Sequence, residues 1–288
     1  MGTRNATVTG SLSLVLGLAL MVAAGPAQAG RGGSPELIGS AIAANSVDAI
    51  QAELERSEYL VCAACTDLVL PLVDHADYRV RRAAAWWLSR RSSGRTVFVG
   101  MLNRLSQPDS AKAANAADVL GEFGSAAAIP ALSAALSNPI FDGNARAAMA
   151  RALGSIGRPA GAAALVGALG ASEPAVKVAA LGALRELRTF NGAGAVPAAA
   201  LLGDADANVR SQAALTLGAA HAPAGVAELL QVLGGDPSAD VRKRAAWALG
   251  EMGAPAAQAA DGLGRAAQSD ASPLVRSLAE VAIGKLTR

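Results

Sequence analysis

The most regular feature of the chain is a pattern of apolar positions with helical spacing that returns about every 32 residues. Each copy has the form Val-Arg-x-x-Ala-Ala-x-x-Leu-Gly, and a Leu or Ile closes it seven residues after the basic position. A repeat of this length indicates a fold built from stacked units. The basic positions, spaced by 31 to 34 residues, are Arg81, Ala113 (a degenerate copy), Arg146, Lys177, Arg210, Arg242 and Arg276.

A second apolar pattern lies between the copies, as in Ile129, Leu132 and Leu136. Its spacing also fits one face of a helix, so each unit is predicted to be a pair of helices. Glycine is expected to end signature segments in the left-handed conformation, and proline to start the helices that follow. We therefore predict an all-α solenoid of seven to eight helical pairs. The punctuating residues are Gly124, Gly157, Gly253, Pro159, Pro223 and Pro255.

The repeat resembles the short HEAT-like repeats of phycobilisome lyase-type and related scaffold proteins. The resemblance covers roughly residues 46–288 and is clearest at 206–210 and 240–242, where an Asp precedes the Val-Arg pair. It implies an α-solenoid and says little about function. Residues 77–288 are assigned to the repeats, and residues 46–76 to an atypical N-terminal capping pair of helices.

The first 29 residues have the composition of a secretory signal peptide. Arg4 is their one charged side chain, residues 11–24 are almost wholly apolar, and residues 27–29 form an Ala-x-Ala cleavage pattern. The apolar run is shorter than the roughly 20 residues that a spanning helix needs. We expect cleavage after Ala29, a flexible leader over 30–45, and a bacterial protein exported to the periplasm or exterior without a retained membrane anchor.

The basic residues of the repeat form a candidate ladder along the stack. Each follows soon after an Asp in the preceding loop, so Asp and Arg of neighbouring units are expected to pair, with Asp270 as a further acidic member. As exposed pairs they would each contribute about 0 to 1 kcal/mol, and a ligand-binding role is the alternative. The predicted ladder consists of Arg81, Arg146, Lys177, Arg210, Arg242 and Arg276 with Asp77, Asp142, Asp206 and Asp240.

Cys62 and Cys65 are the two cysteines of the chain. Three residues apart on a helix, their Cα atoms would lie about 5 Å apart, which a disulfide can span. A structural disulfide is the favoured interpretation, because an exported chain folds in an oxidising compartment. Inert free thiols and a redox or metal-binding role are the alternatives.

The chain has few aromatic residues, 3% of the total, so its three tryptophans are conspicuous. Trp86 and Trp87 are adjacent and point about 100° apart on a helix, so at most one can centre on the seam between helices. Core packing is favoured over an interface role. If the second helix of each unit lines the concave face, contacts there would include Arg104, Asn138 and Gln231, which complete, with Trp86, Trp87 and Trp247, the set of possible interface residues.

Composition and motifs favour binding over catalysis. Basic and acidic side chains nearly balance, with a formal charge of +2, so no electrostatic footprint for nucleic acid is present. We find no catalytic or phosphate-binding motif, no His-Glu pair and no metal-ligand cluster. The prediction is a non-catalytic scaffold without cofactor or metal that binds a protein or peptide. The alternative is a redox or cofactor-handling accessory that uses Cys62 and Cys65.

Overall fold

The computed structural model describes residues 33–60, 62–187 and 194–286, and in these ranges the fold is all α, without a strand. The predicted signal peptide therefore lies outside the described residues. Sixteen α-helices follow one another: α1 Pro35–Ala43, α2 Val47–Arg56, α3 Ala63–Val69, α4 Tyr78–Ser89, α5 Gly94–Arg104, α6 Ser110–Phe123, α7 Ile129–Leu136, α8 Gly143–Ile156, α9 Ala162–Ala168, α10 Pro174–Glu186, α11 Ala195–Ala200, α12 Ala207–Ala219, α13 Val226–Gly235, α14 Ala239–Met252, α15 Ala260–Ser269 and α16 Pro273–Leu286.

Seven helices carry the Val-Arg-x-x-Ala-Ala-x-x-Leu-Gly pattern, and we call them the signature helices: α4, α6, α8, α10, α12, α14 and α16. The helices between them, α5, α7, α9, α11, α13 and α15, are the linking helices. Together they form a two-layer solenoid in which each helix packs mainly against its neighbours in the stack. The predicted fold class and repeat number are confirmed.

The turns within each unit follow from proline and glycine. Pro159 and Pro223 each open a 3₁₀ turn that leads into a linking helix, where the missing N–H removes no needed donor. Gly124 and Gly157 end their signature helices with φ of 64° and 69° in the left-handed region. Gly253 does not adopt the expected left-handed helical conformation. Its φ is 61°, but its ψ of −133° lies outside that region.

Close contact between signature helices depends on the small residues of the pattern. A Cβ added to Gly218 of α12 would lie 2.6 Å from the Cα of Ala248 in α14, and one on Gly250 would lie 2.8 Å from the Cα of Ala282 in α16. Real Cβ atoms do not approach so closely, so glycine permits the backbones to meet here. The Val and Leu of the pattern point inward and are fully buried, as at Val209.

The linking helices are spaced more widely than the signature helices. A cleft of about 550 Å³ opens between α11 and α13, and another of about 520 Å³ between α13 and α15. The signature helices pack against one another far more extensively than the linking helices do. Because a stack bends toward its more closely packed layer, we infer that the signature helices, and not the second helix of each unit, line the concave side.

The N-terminal cap contains three helices where two were expected. Residues 35–43, assigned to a flexible leader, form α1, whose start is capped by the hydroxyl of Ser34. Ile38 of α1 is buried in the continuous apolar core. The capping pair predicted over 46–76 corresponds to α2 and to α3 with its 3₁₀ extension Leu70–Asp74.

Candidate functional site

The basic residues of the repeat lie where the loops of successive units meet. Arg210 of α12 donates from Nε and Nη2 to the two carboxylate oxygens of Asp236, over 2.7 and 3.0 Å. Its third nitrogen, Nη1, donates to the backbone carbonyl of Asp204 over 2.8 Å. One guanidinium therefore fastens its own loop to the loop of the next unit.

The same contact recurs along the C-terminal half of the stack. Arg242 donates hydrogen bonds to the carboxylate of Asp270 and to the backbone carbonyl of Asp236, and Arg276 donates to the backbone carbonyl of Asp270. Lys177 begins the series with an ion pair of 2.6 Å to Asp204. These bonds form a continuous chain, here called the ladder, through Lys177, Asp204, Arg210, Asp236, Arg242, Asp270 and Arg276.

The acidic members predicted for the ladder were largely wrong. Asp77, Asp142 and Asp206 cap the N-termini of α4, α8 and α12 by accepting backbone N–H bonds. Asp240 lies in the first turn of α14 and contacts Ser211 and Lys243. The carboxylates that pair along the stack come from the next unit, because that loop is brought against the arginine by the stacking of the repeats.

The two remaining basic positions make variants of the contact. Arg81 of α4 pairs with Asp118, which lies within α6 and not in a loop, over 2.7 Å. Arg146 of α8 pairs with Glu173, the residue before α10, over 3.0 Å. All five ion pairs link one repeat to the next, so the predicted basic positions do act along the stack.

The ladder is buried, contrary to the expectation of exposed pairs. The side chains of Arg210 and Asp236 are 12% and 5% exposed. Burial raises the pKa of Asp236, but the hydrogen bonds from Arg210 and from the backbone of Ser238 outweigh it and hold the pKa below its ordinary value. The hydrogen bond from Arg242 likewise lowers the pKa of Asp270. The charged groups of the ladder pair with one another and not with a ligand. Because each pair joins one repeat to the next, the ladder holds the repeats in register.

Cys62 and Cys65 are joined in a disulfide, with Cα atoms 5.3 Å apart. Cys62 is the N-cap of α3 and not a residue of the helix, and the N–H of Cys65 donates to its sulfur. Cys65 is fully buried, whereas Cys62 is half-buried at a cleft of about 570 Å³ that Arg90 and Arg91 also line. Of the two bridged residues, Cys62 is therefore the one that keeps exposed surface.

The tryptophans divide between core and surface. Trp87 is fully buried and its indole N–H donates to the Ser57 hydroxyl over 2.9 Å, so it packs in the core as favoured and is not an interface residue. Trp86, half-buried beside it, faces outward with the guanidinium of Arg90 over its ring at 4.4 Å. Trp247 of α14 is also half-buried and leans over Gly218 of α12.

The other three predicted interface residues lie on the side of the linking helices. Arg104 ends α5 and pairs with Asp74 over 2.6 Å, and the side chain of Asn138 accepts the N–H of Ile140 in a loop. Gln231 of α13 is exposed at the cleft next to α11. Because the signature helices form the concave side, these three residues belong to the convex side.

The outward side of the signature helices carries residues that the sequence reasoning missed. Leu215 of α12, Trp247 of α14 and Val281 of α16 occupy the same position, five residues after the basic residue of each repeat. Leu215 and Trp247 are half-buried, and Val281 is 54% exposed. Their signal was available, since aligning the repeats shows large apolar side chains where three earlier repeats have Asp118, Arg151 and Gly182, while the first repeat has Trp86.

The described residues contain no group of three or more His, Cys, Asp or Glu side chains that could hold a metal ion. No helix among them is long and apolar enough to cross a membrane. What the geometry provides is a stack of helices with a structural ladder, a bridged cap and an apolar row on its concave side. This arrangement defines the class as an all-α solenoid of helical repeats.

The chain belongs to the HEAT-repeat family, whose model matches residues 98–185 and 195–284. No curated protein matches it in sequence. Among solved structures it is similar to YibA of Escherichia coli, with TM-score 0.58 and 18% identity over 88% of this chain and 92% of that one. It is also similar to importin beta, with TM-score 0.55 and 14% identity over 83% of this chain and 38% of that one.

A third similar structure is the complex of CpcE and CpcF of phycocyanin lyase from a Nostoc species. The TM-score is 0.43 and the identity 21%, over 77% of this chain and 94% of that one. The family model establishes the family, and the likeness to YibA and importin beta agrees with the solenoid fold. HEAT-repeat solenoids serve protein interaction in general, and this coarse role fits the chain.

Proposed function

We propose that the chain is a non-catalytic scaffold that binds a partner protein in the bacterial envelope or exterior. The observation that carries the proposal is the apolar row formed by Leu215, Trp247 and Val281 on the concave side. Large apolar side chains that remain accessible in successive repeats mark a surface suited to a protein partner.

Two observations support the exported location. Residues 1–29 have the pattern of a secretory signal peptide. The disulfide of the cap supports the same location, because such bonds persist in oxidising compartments and are rare in the cytosol.

The location is tested by expressing the full chain in a bacterial host and fractionating the cells. We expect the protein in the periplasm or medium with Gly30 as its first residue by mass spectrometry. A variant without residues 2–29 is the control and should remain in the cytoplasm. Recovery of the full-length chain with Met1 intact in the cytoplasmic fraction would contradict export.

Partner binding is tested with the purified protein as bait in an envelope extract, followed by titration calorimetry with the purified prey. We expect one prey protein to be retained at a fixed stoichiometry and to bind the isolated chain directly. A bait denatured by heating is the control for nonspecific capture. If no prey binds the purified chain in calorimetry, the scaffold proposal fails.

A second candidate function, thiol–disulfide exchange, has a specific observation in its favour. Cys62 is accessible at a cleft with two arginines, while Cys65 is buried. A thiolate of a dithiol peptide would attack the sulfur of Cys62, and Cys65 would leave as a thiolate. The second peptide thiolate would then displace Cys62, which leaves the peptide oxidised and the protein reduced.

This candidate is separated from the scaffold by incubating the oxidised protein with a reduced dithiol peptide and titrating the thiols of both. Rapid oxidation of the peptide, absent in a Cys62→Ser, Cys65→Ser double variant, would support exchange. An unreactive bridge, with prey binding unchanged in the double variant, would leave the disulfide a structural element of the cap.

A further inference from the structure

The concave side near the C-terminus carries large apolar side chains that are exposed or only partly covered by the core. Val281 of α16 is joined there by Leu274, 65% exposed, and by the half-buried Leu278 one turn away. Leu274 and Val281 are seven residues apart and share a helix face. With Trp247 of α14 and Leu215 of α12 they form what we call the C-terminal patch.

The patch extends over three signature helices that contact one another directly. Gly218 and Gly250 bring the three backbones together, so equivalent positions lie side by side across the stack. Adjacent packed helices are about 8 to 10 Å apart, which sets the spacing of Leu215, Trp247 and Val281. The three residues therefore span about 16 to 20 Å, which three to four turns of a helix or five to six extended residues cover.

Most charged side chains around the patch are held in pairs within the chain, and the exposed Glu280 of α16 lies beside Val281 without an ion pair among the described residues. Lys243 pairs with Asp240, and Lys285 with Glu251. Arg244 of α14 makes no ion pair with a described residue, and its Nε is buried without a hydrogen-bond partner. A carboxylate is the group that would satisfy this guanidinium.

Two more arginines continue this positive character toward the centre of the concave side. Arg185 of α10 contacts only the side-chain oxygen of Gln212 among the hydrogen bonds described, over 3.3 Å. Arg151 of α8 is 55% exposed and lies 3.9 Å from Asp118, a carboxylate already held by Arg81. Two described carboxylates without an ion pair oppose these arginines, Glu186 of α10 and Glu280 of α16.

We propose that the C-terminal patch binds an acidic, amphipathic segment of the partner protein. Two or three apolar side chains of the segment contact Trp247, Leu274 and Val281, and a carboxylate pairs with Arg244. Further acidic residues lie toward Arg185 and Arg151. This inference rests on the proposed scaffold function and assigns the surface and the chemistry of the segment it takes.

The test uses the full chain and a displayed library of random 12-residue peptides as the probe. Selected peptides are expected to contain at least two large apolar residues and one or more Asp or Glu. Val281→Glu and Leu274→Glu should weaken binding of these peptides at least tenfold, since each places a charge in the apolar contact. Arg244→Glu should remove the preference for acidic peptides.

Gln231→Glu on the convex side is the matched control, because it adds the same charge at an exposed helical position. Circular dichroism and unfolding of each variant show whether the fold is intact. Peptides that are basic, or that bind Val281→Glu as tightly as the unchanged chain, would overturn the proposal. So would a dimer in sedimentation that Val281→Glu dissociates, because the occupant would then be a second copy.

The prey protein captured from the envelope extract distinguishes this inference from the proposed function. A prey that binds the unchanged chain but loses affinity for Val281→Glu supports both. A prey that binds the unchanged chain and Val281→Glu equally leaves the scaffold function standing and overturns the patch.

Discussion

At the scale of single residues, the signature helices depend on glycine one position after the closing Leu. A Cβ on Gly218 would meet the backbone of Ala248 at 2.6 Å, and neither backbone can move without shifting its helix. Overpacking of this kind costs about 1 to 3 kcal/mol. We expect Gly218→Ala to lower the free energy of unfolding by this amount in urea denaturation.

Gly284 occupies the equivalent position in α16, where an added Cβ meets nothing within 4 Å. Gly284→Ala is therefore the matched control and should leave stability unchanged or raise it by up to about 1 kcal/mol, since alanine favours the helix. Equal destabilisation by both substitutions would show that the close contact between α12 and α14 is not the cause.

The ladder can be weakened at one residue while its backbone contact is kept. Asp236→Asn retains the oxygen that accepts the N–H of Ser238 but loses the charge facing Arg210. A buried charged partner left unsatisfied costs about 1 to 3 kcal/mol, and we expect this loss in urea denaturation.

Asp109→Asn changes the same groups in an exposed setting, because Asp109 caps α6 and pairs with Lys112. Exposed pairs contribute about 0 to 1 kcal/mol, so this variant should be nearly neutral. If Asp236→Asn and Asp109→Asn lower the free energy of unfolding equally, the buried ion pair of the ladder contributes no more than an ordinary surface pair.

At the scale of elements, the loop Asp residues set where the signature helices begin. The carboxylate of Asp206 accepts the N–H groups of Asn208 and Val209 over 2.8 and 3.1 Å. We expect Asp206→Ala to cost about 1 kcal/mol, measured by chemical denaturation. Asp206→Ser should restore most of the loss, because serine caps equally well; failure of serine to rescue would mean that the charge of Asp206 acts along the stack.

At the scale of the whole molecule, the ladder links stability to pH. The pKa values of Asp204, Asp236 and Asp270 are lowered in the folded chain, so folding favours their charged forms. Their contribution is complete above the unfolded-state pKa of about 3.9 and is lost as the pH falls through the lower folded values. We expect urea denaturation to show much lower stability at pH 3 than at pH 7.

Asp236→Asn is the informative variant for this dependence, since it removes one titrating group. Its loss of stability between pH 7 and pH 3 should be smaller than that of the unchanged chain. A loss of the same size in both proteins would place the acid sensitivity outside the ladder.

The sequence by itself determined the repeat, its register and the all-α class, because apolar spacing and Gly and Pro punctuation act over a few residues. It did not reveal helix α1, whose short apolar face is recognisable only by what it packs against. It also assigned the wrong carboxylates to the ladder, since Asp206, expected to pair along the stack, caps α12 instead.

Only the tertiary structure decided these pairs and the exposed surface. Arg210 reaches Asp236, 26 residues further on, because stacking turns the loop of the next unit toward it. The same stacking places the Gly218 contact inside the signature layer, which makes that layer concave and leaves Trp247 and Val281 on the face available to a partner. The local spacing of apolar residues determines each helix, whereas the stacking of the repeats determines which side chains pair and which remain exposed.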